Sequence, residues 1–362
     1  MLRRIRVGLL AAANAAGLSR LIGSTAWRQK RLLILCYHGI SNSDLHKWNP
    51  SLFMDSGEFR ARLQLLRDAN CNVLGLGEAL LRLEDGTLPP RSVVLTFDDG
   101  FVDFYRLAWP ILCEFGYPAT LYLTTYYMVR NLPVFDPALD YLLWKGRDKT
   151  LDWQAMIPQT VSLDGLGREL MSNTLRTHAS KNKLTSAEKD VLLKDLACRL
   201  GLDYDAFRQS RILSLLNEDE VRQLASWGAD LQLHTHRHRN PSDQRTFSRE
   251  IVDNRNCMAS LGLRPEHFGY PNGVQRRGDR QWLRELGIKS AAVCQAGLAA
   301  RDSDFLSLPR VVDCFPLCET EFRSWVYGTG ALLPRRGKTD GREPQPAEVT
   351  NEVLSLRSII NR

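Results

Sequence analysis

The sequence predicts an α/β fold built on a parallel sheet or barrel, and two observations carry that reading. Short apolar runs alternate with amphipathic segments along most of the chain, the order expected when helices cover a buried sheet. The residues best suited to chemistry, an aspartate pair and a histidine cluster, stand directly after two of those runs, where such folds place their sites.

In chain order, residues 31–40 (RLLILCYHGI) read as a first strand with its exit loop and residues 56–70 (SGEFRARLQLLRDAN) as a helix. SVVLTF is the next strand, FVDFYRLAWPILCEFG the next helix and ATLYLTT the strand after it. The alternation returns as helix NEDEVRQLASWG, strand DLQLH, helix SREIVDNRNCMASLG, strand HFGYP, helix RGDRQWLRELG and strand SAAVC. Between about 130 and 215 the pattern is lost. There LPVFDPALDYLLWKG and TSAEKDVLLKDLACRLG read as helices of an insertion, either a cap beside the site or a remote decoration. The main domain is thus expected over residues 31–330. Residues 331–362 are expected to form a flexible tail ending in a terminal helix, NEVLSLRSIINR.

With 44% hydrophobic and 25% charged residues, the 362-residue chain can bury one large domain or two smaller ones, which excludes a disordered chain. Its eight cysteines (Cys36, Cys71, Cys113, Cys198, Cys257, Cys294, Cys314 and Cys318) include no C-x-x-C spacing and no dense framework. Reduced thiols in a reducing, cytoplasmic compartment are expected.

The formal charge of +7 has a local origin, because Arg3, Arg4, Arg6, Arg20, Arg28, Lys30 and Arg31 all precede the first acid, Asp44, and the remainder is balanced. A nucleic-acid enzyme would spread basic residues over a groove of the folded domain, so no nucleic-acid partner is expected. Residues 1–30 read as a basic amphipathic helical segment, with Leu2, Ile5, Leu9, Ala12 and Ala16 at helical spacing. Its apolar stretch is too short to span a bilayer. Three readings stay open: a helix packed on the domain, a peripheral contact at the inner face of a membrane, and a targeting signal.

VVLTFDDGF, residues 93–101, sets Asp98 and Asp99 side by side after a strand. Charged side chains are seldom fully buried unless paired or bound to metal, so the doublet points to a site rather than to packing. LQLHTHRH then places His234, His236 and His238, three of the seven histidines, within five residues at another strand exit. Two imidazoles and one carboxylate would leave a position open for water, the pattern of a catalytic rather than a structural metal centre. Nitrogen and oxygen donors suit zinc, with cobalt, nickel and iron as alternatives. Taken alone, the histidines would equally suit a surface loop. GTGALLP follows no strand and lacks a P-loop lysine, so no nucleotide loop competes.

Together, TFDDG and the later HTHRH, which fits H-[ST]-x-x-H, resemble the polysaccharide deacetylase family, carbohydrate esterase family 4, with its nodulation-type chitooligosaccharide deacetylases. The resemblance runs from about 32 to 312, the insertion being poorly covered. It implies a distorted (β/α) barrel and a metal-dependent hydrolase that removes acetyl groups from N-acetylhexosamine units of a polysaccharide, oligosaccharide or lipid-linked precursor. It implies Asp98 as general base and Asp99, His234 and His238 as metal ligands, leaving His236 out. O-acetyl or formyl groups and a non-catalytic carbohydrate-binding role are the alternatives.

LCYHGI resembles the Y-H-x-I element of exopolysaccharide deacetylases with circularly rearranged motifs, which implies His38 as general acid in place of a missing late Leu-x-His motif. The alternative for His38 is a structural histidine at the end of the first strand. HFGYPNG matches the family's Y-P-x-G form, implying that Tyr270, Pro271 and Gly273 contact substrate or orient the site. The arginine that orients the base is absent there, with Arg264 and His267 as nearby substitutes. SLPRVVDC resembles the family's last strand and implies that Arg310 faces the site.

Overall fold

In the computed structural model, which describes residues 2–130, 132–314 and 317–333, the apolar runs become parallel strands that stand side by side in chain order. They are β1 (Leu33–Tyr37), β2 (Ser92–Phe97), β3 (Thr120–Leu123), β4 (Asp230–Leu233), β5 (His267–Gly269), β6 (Ser290–Val293), β7 (Leu308–Pro309) and β8 (Val311–Val312). Each is bonded to the next from β1 to β7, and β8 returns to β1. β7 and β8 are one stretch of chain divided by Arg310: Leu308 and Pro309 pair with Ala292 and Val293, whereas Val311 and Val312 pair with Leu35 and Cys36. The last stave therefore touches both ends of the sheet, and the result is the nearly closed barrel expected. Of the tail expected over residues 331–362, Ala331 and Leu332 still belong to helix Thr329–Leu332, and residues 334–362, with the expected terminal helix, lie outside the described residues.

Side-chain alternation explains why the strands read as apolar runs rather than as an apolar–polar alternation. Leu33, Leu35, Val93, Leu95, Leu121 and Phe268 face outward under the helices, whereas Ile34, Val94, Tyr122, Ala292 and Leu308 fill the barrel interior. Both faces are buried, as parallel sheets require. The amino end is plugged by helix Leu76–Asp85, an element absent from the helices expected above. Leu76, Ala79, Leu80 and Leu83 lie on one helical face and join the interior cluster. Each buried leucine contributes about 1.5–3 kcal/mol. Small and polar residues are left for the carboxyl end of the interior.

The insertion leaves the barrel after β3 and builds its own core from helices Phe135–Lys145, Gly165–Lys181, Ser186–Arg199 and Tyr204–Ser210. The second and fourth of these were not anticipated. It is no remote decoration. Its returning segment is bonded to the turn after β2, with Val102 N donating to Ser214 O at 3.0 Å and Leu216 N to Gly100 O at 2.9 Å. Phe53 and Phe101, from the loops after β1 and β2, belong to its core, and Tyr141 Oη donates to Asp44 at 2.6 Å.

Helices Leu2–Ala15 and Leu18–Ser24 pack on helix Glu319–Tyr327, where Arg3 bonds Glu321 at 2.7 Å. No single helix among the described residues is long and apolar enough to cross a membrane.

Candidate active site

The sharp turn after β2 sends the two aspartates in different directions. Asp99 takes a left-handed backbone conformation (φ 73°), followed by Gly100 (φ 89°). A side chain at Gly100 would strike Leu123, 2.4 Å from its Cδ1. A non-glycine residue held in the left-handed region costs roughly 1–3 kcal/mol and persists where the surroundings over-determine it. Here the Asp99 carbonyl accepts from Thr124 N at 3.2 Å and the Gly100 carbonyl from Leu216 N at 2.9 Å.

Asp98 continues the inward alternation of Val94 and Thr96 and is 2% exposed. Its Oδ1 and Oδ2 accept from Arg310 Nη1 and Nη2 at 2.7 and 2.8 Å, a bidentate fork. Burial alone would raise its pKa, yet the guanidinium holds it below the ordinary carboxylate value. Arg310 in turn is completely buried and keeps its proton, because Asp98 outweighs the burial penalty.

The arginine that orients Asp98 is therefore Arg310, and the two substitutes considered above do not serve. His267 begins β5 at the opposite end of the barrel, with Nδ1 2.8 Å from Ser290 Oγ, and Arg264 is exposed. Only closure of the ring carries Arg310 to Asp98, 212 positions earlier in the chain.

Across the mouth, His234 is 1% exposed. Its Nδ1 lies 2.7 Å from the carbonyl of Gly269. A carbonyl can only accept, so Nδ1 carries a proton, and in the neutral imidazole Nε2 keeps its lone pair. That lone pair lies 3.3 Å from Asp99 Oδ1, and His238 Nε2 lies 3.1 Å from the same oxygen. Asp99 Oδ1 is buried without a hydrogen-bond partner. The donor atoms of Asp99, His234 and His238 all fall within 4.8 Å of one another. An orphaned carboxylate oxygen facing two imidazole nitrogens fits a divalent cation and leaves a buried polar atom unexplained without one.

The supporting groups are equally specific. Asn254 Oδ1 accepts from His234 N at 3.0 Å, while Asn254 Nδ2 donates to Leu123 O at 3.1 Å and Thr125 Oγ1 at 2.9 Å. Glu250 accepts from Arg237 N at 2.8 Å. His236 turns away, its Nδ1 2.8 Å from Thr125 Oγ1 and its ring edge-on to Tyr126. The spacing H-x-x-x-H therefore delivers two imidazoles to Asp99 and the middle one elsewhere.

His38 follows β1 beside Asp98, with ligand atoms of Cys36, His38 and Asp98 within 4.8 Å of one another. Two thiols complete this side. Cys36 Sγ lies 3.6 Å from Asp98 Oδ2, and Arg310 Nη2 lies 3.6 Å from Cys294 Sγ. A hydrogen bond from Cys36 and the field of Arg310 bring Cys294 down to about 6 against its burial. Strand alternation alone places both thiols inside, but nothing in their spacing announces it.

Of Tyr270, Pro271 and Gly273, the Tyr270 side chain is turned away from the site. Gly269 faces the interior against Tyr122 and His234, so Tyr270 faces outward. Its side chain is fully buried in the outer core, with Oη donating to Leu306 O at 3.2 Å. Pro271 is buried as well, and Gly273 (φ 64°) lies so close on Cys294 that a Cβ would sit 2.2 Å from it. The turn shapes the wall behind Cys294, and the Tyr270 ring does not reach the mouth.

A family model described as polysaccharide deacetylase matches residues 85–291, more than half of the chain. The Bacillus subtilis protein YxkH is 34% identical over 105 residues, covering 28% of this chain and 36% of that protein. The poly-beta-1,6-N-acetyl-D-glucosamine N-deacetylase of Staphylococcus epidermidis is 29% identical over 136 residues, covering 32% and 46%. The aligned stretches thus span less than half the length of either curated relative. The structure of deacetylase PplD from Streptococcus pyogenes superposes with a TM-score of 0.54 at 19% identity, over 84% of this chain and 99% of that one. IcaB from Ammonifex degensii gives 0.51 at 17%, over 83% and 97%. These two likenesses concern the fold alone; the family match rests on the sequence, and by it the chain belongs to the polysaccharide deacetylase family.

Proposed function

We propose that the protein is a metal-dependent N-deacetylase acting on N-acetylhexosamine units of a glycan or a lipid-linked glycan precursor. The observation that carries this reading is the contrast at the doublet: Asp99 offers an orphaned oxygen to two imidazole nitrogens, while Asp98 beside it is ionised and locked on Arg310. A divalent cation held by Asp99, His234 and His238, with zinc the best match to the donor set, would supply Lewis acidity to the attacking water and to the amide carbonyl.

The remaining work falls to the chain. Asp98 takes the proton of the attacking water as its oxygen bonds to the acetyl carbon, and Arg310 keeps the carboxylate ionised and aimed. The carbon–nitrogen bond then breaks. His38 gives the departing nitrogen its proton, so acetate and a free amine leave. This assignment places both proton-transfer groups on one side of the mouth and all three ligands on the other.

Acetate release from N-acetylated oligosaccharides and lipid-linked sugars by zinc-loaded protein, with Asp98→Asn beside it, tests the reading. Release by the parent protein alone supports it. Release of formate, or of acetate only from O-acetyl esters, would reassign the acyl group, and silence with metal bound would favour a binding role.

A further inference from the structure

We propose that the helix pair Leu2–Ala15 and Leu18–Ser24 is a docking surface for an anionic lipid membrane. The two helices are amphipathic in the wrong sense for an ordinary surface layer, which turns apolar residues inward and polar ones to water. Helix Leu18–Ser24 packs Ser19 and Gly23 against the domain, yet leaves Leu18 and Leu21 46% and 64% exposed. The small residues are required where they stand, since a Cβ at Gly23 would sit 2.7 Å from the ring of Tyr327. The leucines cannot rotate inward without tearing that contact.

Helix Leu2–Ala15 repeats the pattern. Leu10 is its buried anchor, and Arg3 holds Glu321 at 2.7 Å. Ile5 and Leu9 lie on the other side at 52% and 58% exposure, with exposed Ala12 completing an i, i+4, i+7 stripe. Four of the molecule's large exposed apolar side chains thus gather within seventeen residues, a cluster rather than the scattering expected of a bare surface.

Charge decides the occupant. The segment up to Arg31 carries no acid, and of its seven basic residues only Arg28 is buried, while Arg3 is paired with Glu321. Exposed Arg4 and Arg20 flank the apolar stripe and have no acidic partner among the described residues. A second copy on the same face would set these cations against their own duplicates, because a two-fold interface pairs a patch with itself. Anionic headgroups neutralise them, while the leucines enter the boundary between headgroups and chains.

Flotation of the full chain with phosphatidylglycerol-rich vesicles and with pure phosphatidylcholine vesicles, at low and high salt, tests it. The intact protein should float with the anionic vesicles, and Leu18→Ser/Leu21→Ser, both at exposed sites, should bind at least about tenfold more weakly at an unchanged melting temperature. Arg4→Gln/Arg20→Gln should weaken binding and flatten its salt dependence. No flotation of the intact protein, or equal flotation of the leucine variant, overturns the proposal. A dimer in solution that the leucine variant dissociates would also overturn it, giving the face to a second copy.

Discussion

Asp98 and Asp99 are neighbours in the chain, but Asp98 has both oxygens taken by a buried guanidinium at 2.7 and 2.8 Å, whereas Asp99 Oδ1 meets only two imidazole nitrogens at 3.1 and 3.3 Å. The base side of the mouth compensates its charge internally, through Arg310. The ligand side has no such fixed cation: only the two imidazoles face Asp99 Oδ1, and Asp99 raises the pKa of His238 against burial. One buried acid is thus finished by the fold and the other is left for a cation. The difference lies in backbone direction: Asp98 continues the strand inward, and the left-handed turn at Asp99 throws its side chain across to β4.

If that contrast is right, variants on the two sides should fail in different ways. The largest effect is expected from His234→Ala and His238→Ala, which should each empty the metal site and abolish turnover, read by metal analysis beside acetate release. Retained zinc in either variant would break the ligand assignment.

Arg310→Met should leave the metal in place but strand a buried carboxylate. Breaking such a pair costs roughly 3–5 kcal/mol of stability, measurable by urea denaturation. Its pH signature has a definite sign. Arg310 holds the Asp98 pKa down against burial, so removing the cation lets burial raise it, and the acid limb of kcat/KM moves to higher pH. An unmoved limb would mean that Arg310 does not tune the base.

Asn254→Ala, which removes the acceptor for His234 N and the donor to Thr125, should weaken zinc about 10- to 100-fold, the usual cost of a lost supporting group. A chelator competition titration reads it directly. The smallest effect belongs to His236→Ala, because that ring is engaged with Thr125 and Tyr126 rather than Asp99. Metal content should stay at the parent level, and loss of metal here would move the ligand from His238 to His236.

Much of this was legible in the sequence because parallel strands buried on both faces leave unbroken apolar runs, and the turns after β2 and β4 concentrate their chemistry within a few residues. Helix Leu76–Asp85 is short, and although Leu76, Ala79, Leu80 and Leu83 keep the helical period, Leu81 breaks the apolar face and the segment competes poorly with longer ones. Helix Gly165–Lys181 opens on Gly-Leu-Gly and exposes Leu166 and Leu170, so its buried face of Met171, Leu175 and Ala179 hardly stands out. The partnership of Arg310 with Asp98 was out of reach for another reason. It depends on which strand closes the ring.

The most direct measurement is the zinc content of Asp98→Asn and Asp99→Asn, prepared and loaded alike, with acetate release assayed on both. The account expects Asp98→Asn to hold about one ion per chain, as a three-ligand catalytic site does, with turnover reduced by roughly 10²- to 10⁴-fold as for a lost general base. Asp99→Asn should bind almost none. Zinc retained by Asp99→Asn and lost from Asp98→Asn would reverse the two roles and contradict the division of the mouth into a base side and a ligand side.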